Sequence, residues 1–150
     1  MESLNKPGIN CNEYKEKQHS KATASENGLT YELINVSKYK LSKWKIDDCI
    51  IKGEKSKCDY LFTVKEKNEC YWIELKSEDF NHACLQIYSS INEIIETKEM
   101  NHYARIVLNK FTDKENGIKT LRYTNHKKLI GQIGGDHKIK YKNKLLTENI

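Results

Sequence analysis

Between residues 44 and 108 of this 150-residue chain the apolar pattern changes period once, and that change does most to narrow the fold. Residues 44–51 alternate, with Trp44, Ile46 and Ile50 on one side and Lys45, Asp47 and Cys49 on the other, as a strand does. Residues 58–64 and 70–76 are two further short runs with strand composition. The polar stretches 52–57 and 65–69 separate the three, and loops this short predict an antiparallel meander. The spacing then becomes helical. Phe80, Ala83/Cys84, Ile87, Ile91 and Ile94/Ile95 fall on one face of a helix spanning 79 to about 98, with Ser77 or Asp79 as its cap. Residues 103–108 form an apolar strand after it, and a strand–helix–strand step of this length makes a parallel neighbour.

The flanks are weaker. Residues 1–28 read as a polar N-terminal arm, 29–35 as a strand and 37–43 as a turn. Residues 111–117 read as loop, and 118–133 carry weak helical spacing at Leu121, Leu129 and Ile133. After the turn at Gly134-Gly135-Asp136, residues 137–145 read as a last strand. Lys138, Lys140, Lys142 and Lys144 line one of its faces, with Ile139, Tyr141 and Leu145 opposite. The expected architecture is an arm followed by one α/β domain over 29–150, with a mixed central sheet.

At 37% hydrophobic and 31% charged residues, the composition suits a globular chain with one core. No apolar run approaches the ~20 residues of a membrane helix, and the N-terminus lacks the apolar stretch of a signal peptide. Five cysteines with no C-x-x-C pair argue against disulfides and structural zinc, and so for a reducing cytoplasm, with Cys49, Cys58, Cys70 and Cys84 as small core residues. The net charge of +5 is uneven. Residues 117–150 hold eight Lys/Arg against Asp136 and Glu148, which is +6 and leaves about −1 for the rest. A basic C-terminal third suits a polyanionic partner, and equally a solvated lysine surface.

Chemistry concentrates in the meander. Asp59 opens one strand; Glu74 and Lys76 close the next and, being two residues apart, share a face. Two carboxylates and an ammonium on one face can hold a hard divalent cation and a phosphate. The same residues also fit a half-exposed strand, with Ile73 and Leu75 inward and Glu74 and Lys76 outward as cross-strand ion partners.

The order of meander, long helix and strand, with Cys58-Asp59-Tyr60, Ile73-Glu74-Leu75-Lys76 and His82-Ala83-x-x-Gln86, resembles the PD-(D/E)xK (restriction-endonuclease-like) nuclease superfamily, in particular its small stand-alone bacterial or phage members. The resemblance covers about half the chain. Cys58 stands where the family's proline is usual, and Ser90 where some relatives carry a tyrosine four residues after Gln86. Glu26 is the nearest match to a glutamate that some relatives carry on an N-terminal helix.

The resemblance implies a metal-dependent nuclease hydrolysing phosphodiester bonds in DNA, with RNA left open. Asp59, Glu74 and the Leu75 backbone carbonyl would bind Mg²⁺ or Mn²⁺, with Asp47 as an additional ligand or a neighbouring acid. Lys76 would orient water and stabilise transition-state charge, and Gln86 would contact the water or the phosphate. His82 and the lysines 138, 140, 142 and 144 would touch the nucleic-acid backbone. The lysine strand also fits an edge protected by charge against aggregation, and His82 a surface histidine. The alternative is a catalytically silent fold relative that binds nucleic acid or a protein partner, as in phage defence or counter-defence. With little room for a recognition domain, specificity would call on a homodimer or a partner protein.

Overall fold

A computed structural model describes residues 3–4, 11–75, 79–110 and 124–150. Its elements are β1 (Asn12–Lys17), β2 (Lys21–Glu26), β3 (Leu29–Ile34), β4 (Leu41–Lys45), β5 (Tyr60–Val64), β6 (Glu69–Leu75), α1 (Phe80–Glu93), β7 (Asn101–Leu108), α2 (Thr124–Ile133), β8 (Ile139–Asn143) and β9 (Leu145–Asn149). The described residues thus make a mixed α/β protein whose core is mostly sheet.

A six-stranded sheet runs in the order β1-β4-β5-β6-β7-β8, and a three-stranded sheet in the order β2-β3-β9. The expected meander is β4-β5-β6, antiparallel throughout, and β7 lies parallel to β6 after the helix. α1 and α2 cover one face of the large sheet. There Leu61, Trp72, Ala104 and Ile106 pack with Phe80, Ala83, Ile87 and Leu129. The small sheet covers the other face, placing Ala22, Ala24, Tyr31 and Leu33 with Phe62, Tyr71, Ile73 and Val107. With both faces roofed, all seven residues of β6 are buried, as a central strand between two layers requires.

Several sequence expectations need correction. Within the supposed arm, β1 pairs with β4 and β2 pairs with β3. β2 and β3 are joined by Asn27 and Gly28, both at positive φ (51° and 79°), as a two-residue hairpin of the I′ kind demands. β4 starts within the expected 37–43 turn and ends at Lys45. Residues 46–51 then fold into a compact turn whose apparent alternation arises because Ile46, Ile50 and Ile51 all drop into the core. α1 ends at Glu93, and a short 3₁₀ turn, Ile95–Thr97, follows. The last strand is two strands: β8 joins the large sheet beside β7, and β9 pairs parallel with β3 in the small one.

The cysteines also depart from expectation. Cys11 and Cys49 form a disulfide, Cα–Cα 5.5 Å, while Cys58, Cys70 and Cys84 are free and buried. An odd count does not forbid one pair. β1 lies against β4 and so brings Cys11 beside the turn that follows β4. The expected reducing compartment rested on unpaired cysteines, and that ground is gone. The bond closes a sequence separation of 38 residues. Reducing it, or replacing both cysteines by alanine, is expected to cost about 2–4 kcal/mol, measured as a lower denaturation midpoint. An unchanged midpoint would show that strand pairing alone holds the turn. Among the described residues no helix is long and apolar enough to cross a membrane.

Candidate metal and phosphodiester site

Asp59 sits one residue ahead of β5 but already continues its ladder. Its N–H donates to the Ile73 carbonyl (3.1 Å), and its own carbonyl accepts from the Ile46 N–H (3.0 Å). Since Tyr60 is registered with Ile73, one further step sets Asp59 opposite Glu74. Glu74 shares the helix-covered face of β6 with Cys70 and Trp72, and it is 3% exposed, with Asp59 at 9%. Glu74 is therefore no solvent-facing ion partner of a half-exposed strand. The Asp59 carboxylate accepts the Leu75 N–H at 2.8 Å and is hydrogen-bonded to the Glu74 carboxyl. Two carboxyls can do that only with a proton between them.

Burial, reinforced by the charges of Glu26 and Asp47, pushes the Asp59 carboxyl up to about 6, against the counter-pull of the Leu75 N–H and Glu74. A carboxyl whose folded value exceeds its unfolded one binds the proton more tightly in the native state. Its contribution is fully present below about pH 4 and is lost as pH rises through about 6. Over that interval of about two pH units Asp59 costs stability on the order of 3 kcal/mol. Asp59→Asn is expected to flatten this limb, read as the difference in unfolding free energy between variant and wild type in urea at pH 4.5 and 7.5. Equal differences at both pH values would show that Asp59 titrates normally.

Two α1 side chains grip the segment that carries Asp59. Ser90, fully buried, donates its hydroxyl proton to the Gln86 carbonyl and accepts the Cys58 N–H, each at 2.8 Å. Gln86, the expected phosphate contact, donates its amide to the Lys57 carbonyl at 3.1 Å. Burial pushes the Cys58 thiol well up and keeps it neutral in the core. Asp79, as expected, caps α1 by accepting the His82 N–H at 2.9 Å, and His82 itself is half-buried on the first turn.

The remaining expected residues scatter. Asp47 lies in the 46–51 turn rather than on a strand, 3.9 Å from the Lys57 ammonium and 45% exposed, so it acts on Asp59 as a neighbouring charge. Among the described residues no group of three or more His, Cys, Asp or Glu is arranged to hold a metal ion. Lys76 lies outside the described residues.

The lysine strip is on the wrong face for the carboxylates. In register across β6, β7 and β8, Glu74 aligns with Ile106 and Tyr141, whereas Ile73 and Leu75 align through Arg105 and Val107 with Lys140 and Lys142. Lys138 sits in the preceding 3₁₀ turn, donating to the Ile133 carbonyl, and Lys144 in the turn to β9 at positive φ. Lys140 pairs with Glu148 at 3.2 Å. Two cavities of about 220 Å³ lie elsewhere, one against Trp44, Thr63 and Met100 and one against Ile91, His102 and Gln132. The carboxylate pair is set apart by its electrostatics.

Asp59 and Glu74 are legible in the sequence through their spacing, and Glu26 through the resemblance. Glu26, at the end of β2, acts on Asp59 and lies 3.4 Å from the Tyr60 hydroxyl. Neither Ser90 as a bonding residue nor Lys57, the half-buried cation beside Asp47, carries a local pattern by which the sequence could show it. No family model, curated protein or solved structure matches the chain. The fold and the site thus define a mixed α/β protein with a buried carboxyl pair at paired strand ends.

Proposed function

We propose that this chain is a metal-dependent nuclease acting on DNA, with Asp59 and Glu74 as the acids that hold Mg²⁺ or Mn²⁺. The observation that carries the reading is the contact between these two buried carboxyls, Asp59 being held protonated up to about pH 6 by its burial. Acids crowded in this way need a proton or a cation between them, and an all-oxygen donor set with the Leu75 carbonyl selects hard divalent ions. Such an ion, when bound, polarises a phosphoryl oxygen and lowers the pKa of water. The hydrogen bond from the Leu75 N–H aims the Asp59 carboxylate at Glu74. Lys76, two residues beyond Glu74, supplies the positive charge that orients the attacking water and balances the transition state. The decisive assay incubates the purified chain with linear, circular, branched and single-stranded substrates, with Mn²⁺ or Mg²⁺ and with chelator. Metal-dependent nicking or degradation supports the reading; neither ion binding nor cleavage on any substrate overturns it.

The burial of both carboxyls, 9% and 3% exposed, favours a second reading, in which a nuclease-like fold binds nucleic acid or a protein partner without cutting. On that reading, salt-sensitive DNA binding survives Glu74→Ala. Binding that vanishes with the carboxylate speaks against it.

A further inference from the structure

We propose that Ser90 and Gln86 are positioning residues that hold Asp59 against Glu74, acting through the backbone of Lys57 and Cys58. The inference rests on the Asp59–Glu74 reading. Three consecutive residues are fixed from different sides. The Lys57 carbonyl is taken by Gln86, the Cys58 N–H by Ser90, and both backbone groups of Asp59 by Ile73 and Ile46. The direction of the Ser90 bond is determined. Its one proton is spent on the Gln86 carbonyl four residues back, so toward Cys58 it can only accept. The two side chains are one turn apart on α1, so a single helix face presents both. Asp59 precedes β5, where the regular ladder ends, and its side-chain position depends on what stops residues 57 and 58 from moving away from the sheet.

The Leu75 amide reports on Asp59 directly, because the Asp59 carboxylate is its acceptor. Native-state hydrogen exchange on the full chain compares wild type with Ser90→Ala, Gln86→Met and, as control, Thr97→Ala. The last removes a buried hydroxyl bond to the Ile94 carbonyl, beyond the C-terminal end of α1. Ser90→Ala and Gln86→Met are expected to speed Leu75 exchange about 10-fold beyond any change at the core amides of Phe62 and Trp72. In Thr97→Ala all three amides should move together. Titration of the same samples with Mn²⁺ should show about 10-fold weaker binding for the two site variants and none for the control. If Leu75 exchange simply follows the core in Ser90→Ala and Gln86→Met, the positioning role is overturned. Should Ser90→Ala not fold, Gln86→Met, at a half-buried site, decides alone. A wild-type chain that binds no Mn²⁺ overturns the nuclease reading and leaves the exchange result standing.

Discussion

Glu74→Gln is expected to abolish divalent-ion binding, to cut metal-dependent cleavage by at least about 100- to 1,000-fold, and to make the chain more stable at pH 8. The first two effects follow from removing one of the two acids proposed to hold the ion. The third follows from the fold. At pH 8 Asp59, which gives up its proton near pH 6, faces the Glu74 carboxyl as a carboxylate. Glutamine keeps the shape of Glu74 and sets a neutral amide, which donates hydrogen bonds, opposite the Asp59 carboxylate. The expected gain is on the order of 1–2 kcal/mol, and it should shrink at pH 5, where Asp59 already carries a proton. Adding Mn²⁺ should stabilise wild type more at pH 8 than at pH 5, because ion and proton compete for the same oxygens, and should leave Glu74→Gln unmoved. A variant that is less stable at pH 8 yet still binds Mn²⁺ would make Glu74 an ordinary buried acid with partners in the core.

The meander, the crossover helix and the strand after it were readable because each is a local pattern: two periods, short polar loops and a capping aspartate. Asp59 and Glu74 were readable for the same reason, as spacing on adjacent strands. What escaped was set by distant pairing. β2 buries only Ala22 and Ala24, too small to register as a strand, and the Asn27-Gly28 pair that closes its hairpin lies at the edge of a polar, poorly periodic stretch. The Cys11–Cys49 bond depends on β1 lying against β4, which no local spacing encodes. The four lysines alternate as a strand face should, but the chain turns at 144, so they are divided between a 3₁₀ turn, β8 and a second turn, and the two on β8 lie on the side of the sheet away from Glu74. Ser90 bonds across 32 residues to Cys58, and its role exists only once α1 crosses the sheet.

Glu148→Ala is expected to cost about 3–5 kcal/mol while leaving Mn²⁺ binding unchanged wherever the chain stays folded. Glu148, on β9, joins the small sheet to the large one. Its carboxylate accepts from Arg105 Nε and Nη2 on β7, the latter at 3.2 Å, and from the Tyr31 hydroxyl on β3 at 2.6 Å. The side chains of Arg105 and Glu148 are 4% and 10% exposed. Arg105 is held further by the Ala104 and Lys138 carbonyls, both at 2.8 Å, and its guanidinium lies 5.4 Å from the ring centres of Tyr71 and Tyr103. Alanine leaves that charge buried without its counter-ion and Tyr31 without its acceptor. Glu148→Gln keeps an oxygen for Tyr31 and should cost less. Burial alone would raise the Glu148 carboxyl, but Arg105, Tyr31 and Lys140 outweigh it and hold it below the usual carboxylate range. A lowered value stabilises above the unfolded carboxylate value of about 4.5 and is lost as pH falls below it. This slope is opposite in sign to that of Asp59, whose contribution is already falling above about pH 4, so these two groups together are most favourable between about pH 4 and 4.5. Glu148→Gln should erode the acid limb of that curve and Asp59→Asn the alkaline limb. Because Arg105 and Glu148 sit on the face of the sheet away from Glu74, the two limbs should respond independently in the double variant, within about 0.5 kcal/mol of additivity. Coupling beyond that would mean that the small sheet, through β6, helps set the position of the acid pair.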